Sequence, residues 1–369
     1  MYTQQERNLI WLDSLNLVHK KRDVLLSFLQ NNNEENYITS LRNNITKISE
    51  FFSAKEIESI TKTLNENYLE KIIDAHDNAG IEIITKESSK YPSLLLNIID
   101  APLVLYVKGN ANVLNKNCIG IVGTRRPTRY GREMCEYFTS KLTENGLVSV
   151  SGLAFGIDTV CAQTTIGSKK PTIAVLAGGL DNIYPSQNYN LSEEIVKNGG
   201  ALVSEYPIGI RPQAYSFLER NRIISGLSLG TIVIEAGEKS GAIKTATDCV
   251  EQNRELFVLP GNINSYASIG CNNLIRKLPH CFTISPQEVL ARLNLEANIN
   301  NSNSNCVQFS MEENLILSCL DSEEKNLDDI CEETEISSKQ AISLLSKLEL
   351  NGIIKRLPGN YFAKINLPN

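Results

Sequence analysis

The chain has 369 residues, 42% of them hydrophobic and 21% charged, with a net charge of −6. That length exceeds one ordinary core, so two or three domains are expected, and the composition is that of a soluble globular protein. No apolar run approaches the ~18 residues of a membrane span, and the start MYTQQERNLIWLDSL lacks a basic-then-apolar signal pattern, so a cytoplasmic protein without membrane contact is expected.

Residues 1–75 carry apolar groups at helical spacing, as in LIWLDSL, VLLSFLQ and ISEFFSAKEIESITKTL. They predict short amphipathic helices in a small bundle, a first domain over 1–80. Between 81 and 108 lie two strand-like runs around a loop with Pro92 and Pro102.

From 118 the pattern becomes regular. CIGIVG, LVSVSG, TIAVLAGG, ALVSE, TIVIEA and ELFVLPG read as strands, with helical stretches between them. Continuously apolar strands alternating with helices predict an α/β fold with an extended, doubly wound, Rossmann-like parallel sheet over 81–292. The Asn- and Ser-rich stretch 293–306 reads as a linker. Beyond it, 307–369 reads as three helices and a hairpin at Pro358-Gly359-Asn360, the winged-helix layout.

Charge is unevenly placed. Residues 1–117 hold 13 basic and 15 acidic side chains (−2), residues 118–290 hold 16 and 15 (+1), and residues 306–369 hold 6 and 11 (−5). The third helix of the last domain offers only Lys339 and Lys347, so a protein contact suits that module better than DNA. The middle region concentrates its cations instead: GIVGTRRPTRYGR places Arg125, Arg126, Arg129 and Arg132 within eight positions, just after the first parallel strand.

Ligands of open parallel sheets sit outside the carboxyl ends of the strands. Four such ends carry small or charged groups: Gly123-Thr124-Arg125, Ser151-Gly152, Gly178-Gly179, and Glu235-Ala236 with Ser240-Gly241 opening the next helix. Amides at glycine turns and helix N-termini favour anions. A second basic feature is SFLERNRIISGLS, where Arg220, Asn221 and Arg222 fall in the N-terminal half of a helix. Arg125, Ser151, Arg222 and Ser240 are expected to meet on one rim.

Neither GxGxxG nor GxxxxGKS is present, which argues against a dinucleotide enzyme and a P-loop NTPase. The nine cysteines form no CxxC pair and only His19, His76 and His280 accompany them, so no zinc site, disulfide framework or other cofactor is expected.

GTRRPxxYG, SGLAFGID, TIAVLAGGLDNIYPSQN, SEYPIG, FLERNRIISGLS, VIEAGEKSGAIKTA and ELFVLPGNIN…GCNNLI occur in this order. Together they resemble the DprA/Smf family of DNA-processing proteins, over roughly 80–285, with a family-like N-terminal helical (SAM/HhH-like) domain and C-terminal winged helix. The resemblance implies a homodimer that catalyses nothing. It would bind and protect single-stranded DNA without sequence preference and load the RecA recombinase onto it during natural transformation. It points to Gly123, Thr124, Arg125 and Arg126, to Ser151 and Gly152, to Arg220, Asn221 and Arg222, and to Ser240 and Gly241 as the DNA-binding set, with Asn188 beside them. Departures matter: Phe155 stands where a basic residue is common and could stack on a base, Ser186 where lysine is common, Leu218 replaces a proline, and Lys244 occupies an apolar slot. Tyr184, Tyr189 and Phe217 are further stacking candidates. The alternative is a nucleotide phosphoribohydrolase-like enzyme on the same fold, with Glu235 as its acid or base.

Overall fold

The computed structural model describes residues 2–32, 34–295, 310–320, 324–350 and 353–364. The chain forms two units that meet in sequence at 297/298. Of the expected linker, 296–306 lies outside the described residues.

Five helices open the chain: α1 (Gln4–Ser14), α2 (His19–Asn31), α3 (Tyr37–Asn44), α4 (Ala54–Thr63) and α5 (Glu66–Asn78). Thr3 with Glu6, and Ser53 with Glu56, close capping boxes at the starts of α1 and α4; Asn36 and Asn65 cap α3 and α5. Each cap satisfies first-turn amides that have no helical partner. These helices lie in the same unit as the sheet. Trp11, Leu25 and Leu69 share one apolar cluster with Ile83 of β1 (Ile81–Thr85), Tyr106 of β2 (Val104–Gly109) and sheet residues further on. Tyr106 donates its hydroxyl proton to Asp13 at 2.9 Å, tying α1 to β2.

After a single turn, α6 (Ser93–Leu96), the alternating region runs β3 (Cys118–Val122), α7 (Arg129–Glu144), β4 (Val148–Ser151), α8 (Ile157–Gly167), β5 (Thr172–Val175), α9 (Tyr189–Lys197), β6 (Ala201–Ser204), α10 (Ser216–Leu227), β7 (Gly230–Val233), α11 (Gly241–Glu251), β8 (Glu255–Val258), α12 (Ile269–Lys277) and α13 (Pro286–Arg292). The eight strands lie in the order β1-β2-β6-β5-β4-β3-β7-β8. From β6 to β8 every pair is parallel, whereas β1 and β2 extend the β6 edge antiparallel. Strand residues alternate between two helical layers, as a period of two requires. Cys118 and Val122 face the cluster of α10 and α11, while Ile119 and Ile121 face that of α7, α8 and α13. The strand order reverses between β3 and β7, which places a crevice at their carboxyl ends.

Cys118, Cys135, Cys161, Cys249, Cys271 and Cys281 are buried free thiols, and burial raises each of them. Among the described residues no cluster of His, Cys, Asp and Glu could hold a metal, and no helix is long and apolar enough to cross a membrane.

The second unit contains α14 (Met311–Cys319), β9 (Lys325–Asn326), α15 (Leu327–Thr334), α16 (Ser338–Leu350), β10 (Ile354–Leu357) and β11 (Tyr361–Lys364). Ile316, Ile330, Leu345 and Phe362 form its core. The hairpin turns through Gly359 and Asn360, both with positive φ. β9 adds a third strand against β11, completing a winged helix. Lys347 on α16 pairs with Glu313 at 2.8 Å.

Candidate functional site

The turn after β3 is pressed between two elements. The Thr124 amide donates to the Glu235 carbonyl at 2.7 Å, and the Thr124 carbonyl accepts from the Ile157 amide at 3.2 Å. A Cβ on Gly123 would come within 2.6 Å of Ile157, so the close approach of turn and α8 needs glycine. Held this way, Arg125 projects outward, its guanidinium 5.6 Å from the centre of the Phe217 ring. Tyr184 meets Phe217 edge-on at 5.4 Å. They border a cavity of about 810 Å³ at the β3/β7 reversal, lined also by Lys239, Ser240, Gly241 and Asn221. Ser240 caps α11, accepting from the Ala242 amide at 3.3 Å. Arg125 and Lys239 are exposed cations there, above a helix N-terminus that favours anions.

Beneath this rim is a floor of consumed polar groups. Arg220 is only 4% exposed. Its Nη1 donates to the Gly152 carbonyl at 2.8 Å and to the Val175 carbonyl, and its Nε to Asn221 Oδ1 at 3.2 Å. Asn221 in turn donates to the Gly241 carbonyl at 3.3 Å. Asp158 accepts from the amides of Gly152 (3.0 Å) and Ala154 (3.3 Å). Burial pushes Arg220 down to about 10, opposed by Asp158, and pushes Asp158 up, opposed first by Arg220. Arg220 thus remains charged at neutral pH, tying α10 to the ends of β4 and β5.

The structure therefore divides the expected residues. Gly123, Thr124, Arg125, Asn221, Ser240 and Gly241 line the first cavity, with Arg220 in its floor. Ser151 is buried at the end of β4, and the Gly152 amide is already used by Asp158. Arg222 is turned elsewhere, paired with Glu205 in a buried contact. Residues two apart on a helix point about 200° from each other, so Arg220 and Arg222 cannot serve one rim. Lys244 pairs with Asp248 and does not line the cavity. The expected meeting of four groups reduces to Arg125 and Ser240.

A second cavity of about 480 Å³ adjoins the first through Arg125 and is lined by Arg126, Arg132, Phe155, Gln163 and Asn188. Asn188 is 6% exposed and donates to the Leu153 carbonyl and Thr159 Oγ1, both at 2.9 Å, so its amide group pins the loop before α8. Lys239, Arg132, Gln163 and Asp158 are cavity residues that the motif comparison passed over. Arg132 was visible in the arginine run, and Asp158 opens a helix directly after a glycine turn. Lys239 and Gln163 carried no sequence signal. Glu235, 2% exposed, accepts from the Thr128 amide (2.9 Å) and hydroxyl (2.6 Å), anchoring the start of α7 to the end of β7. A Cβ on Gly131 would lie 2.1 Å from that carboxylate.

The family model described as DNA recombination-mediator protein A matches residues 82–294, and the DprA winged helix domain matches 310–360. The DNA processing protein DprA of Bacillus subtilis is 44% identical over 196 residues, covering 53% of this chain and 66% of that protein. The protein Smf of Escherichia coli is 35% identical over 288 residues, 76% of each chain. Among solved structures, DNA processing protein A from Streptococcus pneumoniae superposes with a TM-score of 0.66 at 32% identity, over 78% of this chain and 97% of that one. DNA processing protein A from Helicobacter pylori, described for its single-stranded DNA binding mode, superposes with a TM-score of 0.52 at 33% identity, over 58% and 96%.

Proposed function

We propose, from the premise that this chain belongs to the DNA recombination-mediator protein A family, that it binds single-stranded DNA without sequence preference along the rim at the β3/β7 reversal. The observation that carries this reading is Arg125, an exposed guanidinium seated on Phe217 over a cavity bounded by the start of α11. A backbone phosphate suits the cation and the helix N-terminus, while a base suits the ring of Tyr184 or Phe217. None of these groups reads a base edge selectively, so the grip is tolerant of sequence. The binding described for the Helicobacter pylori relative supports the reading.

Binding of oligo-dT followed by fluorescence anisotropy across a salt series tests it. With about four phosphates neutralised, the log–log slope is expected near −3, from ~0.7 per phosphate on single strands. Arg125→Ala should lower both affinity and slope; unchanged binding at every salt concentration refutes the site.

Family membership also supports delivery of RecA onto the bound strand during transformation, action as a homodimer, and protection of the strand. Stimulation of RecA's strand-dependent ATPase by the purified chain, and its mass by light scattering, test the first two. A nuclease-protection assay tests the third. Glu235 has both carboxylate oxygens engaged by Thr128, so the alternative of sugar–base cleavage finds no poised acid or base there. Release of free base from AMP or CMP at high protein concentration would revive that alternative.

A further inference from the structure

Beyond the first cavity lies the second, and Arg125 stands between them as a wall of both. The loop 153–156 that carries Phe155 is tied down on both sides. Leu153 holds a positive φ, and its carbonyl accepts from Asn188 at 2.9 Å. Ala154 donates its amide to Asp158 and accepts from Thr159 Oγ1 at 2.7 Å. Gly156, at φ +83°, is packed so closely on the turn after β3 that a Cβ would meet the Thr124 carbonyl at 2.3 Å. Between these fixed neighbours Phe155 is 42% exposed. Arg126 and Arg132, both exposed, make no ion pair with any described residue. A rigid aromatic face beside uncommitted guanidinium groups, in a space within the usual range of ligand cavities, is a preorganised seat for a flat, anion-bearing ligand.

We propose that this cavity is a second nucleotide seat, in which Phe155 stacks on one base while Arg125 holds the phosphate joining it to the nucleotide in the first cavity. The proposal rests on the reading of the rim as a single-strand interface and adds to it a geometry. Successive bases part to opposite sides of Arg125, so the bound strand is extended and unstacked. Gln163 lies at the edge of the seat with both a donor and an acceptor, which any base can use. Arg126 and Arg132 face the phosphate leaving the seat.

The test uses the full chain and oligo-dT over the same salt series. Phe155→Ala is expected to weaken binding about ten-fold while leaving the salt slope unchanged, because a stacking contact releases no counterion. Phe155→Trp should bind at least as tightly as the unsubstituted chain. Arg132→Ala should lower the slope by ~0.7. Combining Phe155→Ala with Tyr184→Ala should multiply the two losses, since separate seats hold separate bases. Matching urea midpoints will show that the variants fold. Unchanged affinity in Phe155→Ala, in a protein whose Arg125→Ala variant is weakened, overturns the second seat and spares the first. Absence of oligo-dT binding by the unsubstituted chain overturns both.

Discussion

Arg125 and Arg220 stand at the same end of the sheet and meet opposite fates. Arg125 is exposed on the rim, with a ring beneath it, and among the described residues it forms no ion pair, although buried Asp158 lines the same cavity and feels its charge. Arg220 is buried in the floor, its Nη1 and Nε given to two strand-end carbonyls and a neighbouring amide. A guanidinium with unspent donors can take a ligand; one whose donors are spent builds the cradle. Arg220 and Asn221 thus build the floor of the cavity that they line, Arg222 pairs elsewhere, and the arginine cluster after β3 is the part that meets solvent.

Removing the floor should have the largest effect. Arg220→Ala leaves the Gly152 and Val175 carbonyls and the Asp158 carboxylate without their cation, and is expected to lower unfolding free energy by ~3–5 kcal/mol. Urea unfolding measures this; a variant that stays as stable as the parent would erase the distinction between rim and floor.

The next test moves to a half-buried ionisable group at the contact of α1 with β2. Burial pushes Asp13 up to about 7 from its usual 3.8, more than its Tyr106 hydrogen bond and Arg22 pull it down. Between those two values the unfolded chain has lost the proton and the native chain keeps it, so the native state loses stability as pH rises and levels off above 7. Asp13→Asn lacks that titration and should gain on the parent by about 1 kcal/mol per pH unit across the window, read from unfolding curves at pH 4 to 8. A difference that stays flat with pH would place Asp13 among the ordinary surface acids.

Gly152→Ala comes third. Its Cβ would lie 2.4 Å from Arg220 Nη2, and the overpacking should cost ~1–3 kcal/mol. The smallest stability change belongs to the rim: Arg125→Ala and Lys239→Ala should stay within ~0.5 kcal/mol of the parent by the same urea measurement, while lowering strand affinity and salt slope. A large loss of stability in either would move that residue to the floor.

Much of the fold was legible because buried parallel strands must be apolar throughout. All six runs from 118 onward became strands and the stretches between them helices. Ends were less legible: TIAVLAGG reads as strand to Gly179, but β5 stops at Val175, because apolar character continues into a buried, core-packed segment at Leu176 and Ala177 after the ladder has ended. The shared core of α1–α5 with β1 and β2 was hidden, since an amphipathic stripe shows that a partner exists without showing which. At the site, turn glycines and the Arg125 cluster were readable from residue type and place. The roles of Arg220 and Arg222 depended on partners distant in sequence, Gly152 and Val175 for the first and Glu205 for the second, whereas Lys244 pairs with Asp248 one helical turn on. Yet helical geometry alone could have separated Arg220 from Arg222.

The packing of Gly131 against the Glu235 carboxylate has a bearing on how this chain could be re-engineered. Any side chain at position 131 must dislodge the group that fastens α7 to β7, so substitution there is all or nothing, although position 131 lines neither cavity. On the proposed strand path, exchanging Arg126 or Arg132 singly should alter grip by one modest step each. A library meant to tune hold on a strand should randomise those two positions and leave the glycine fixed.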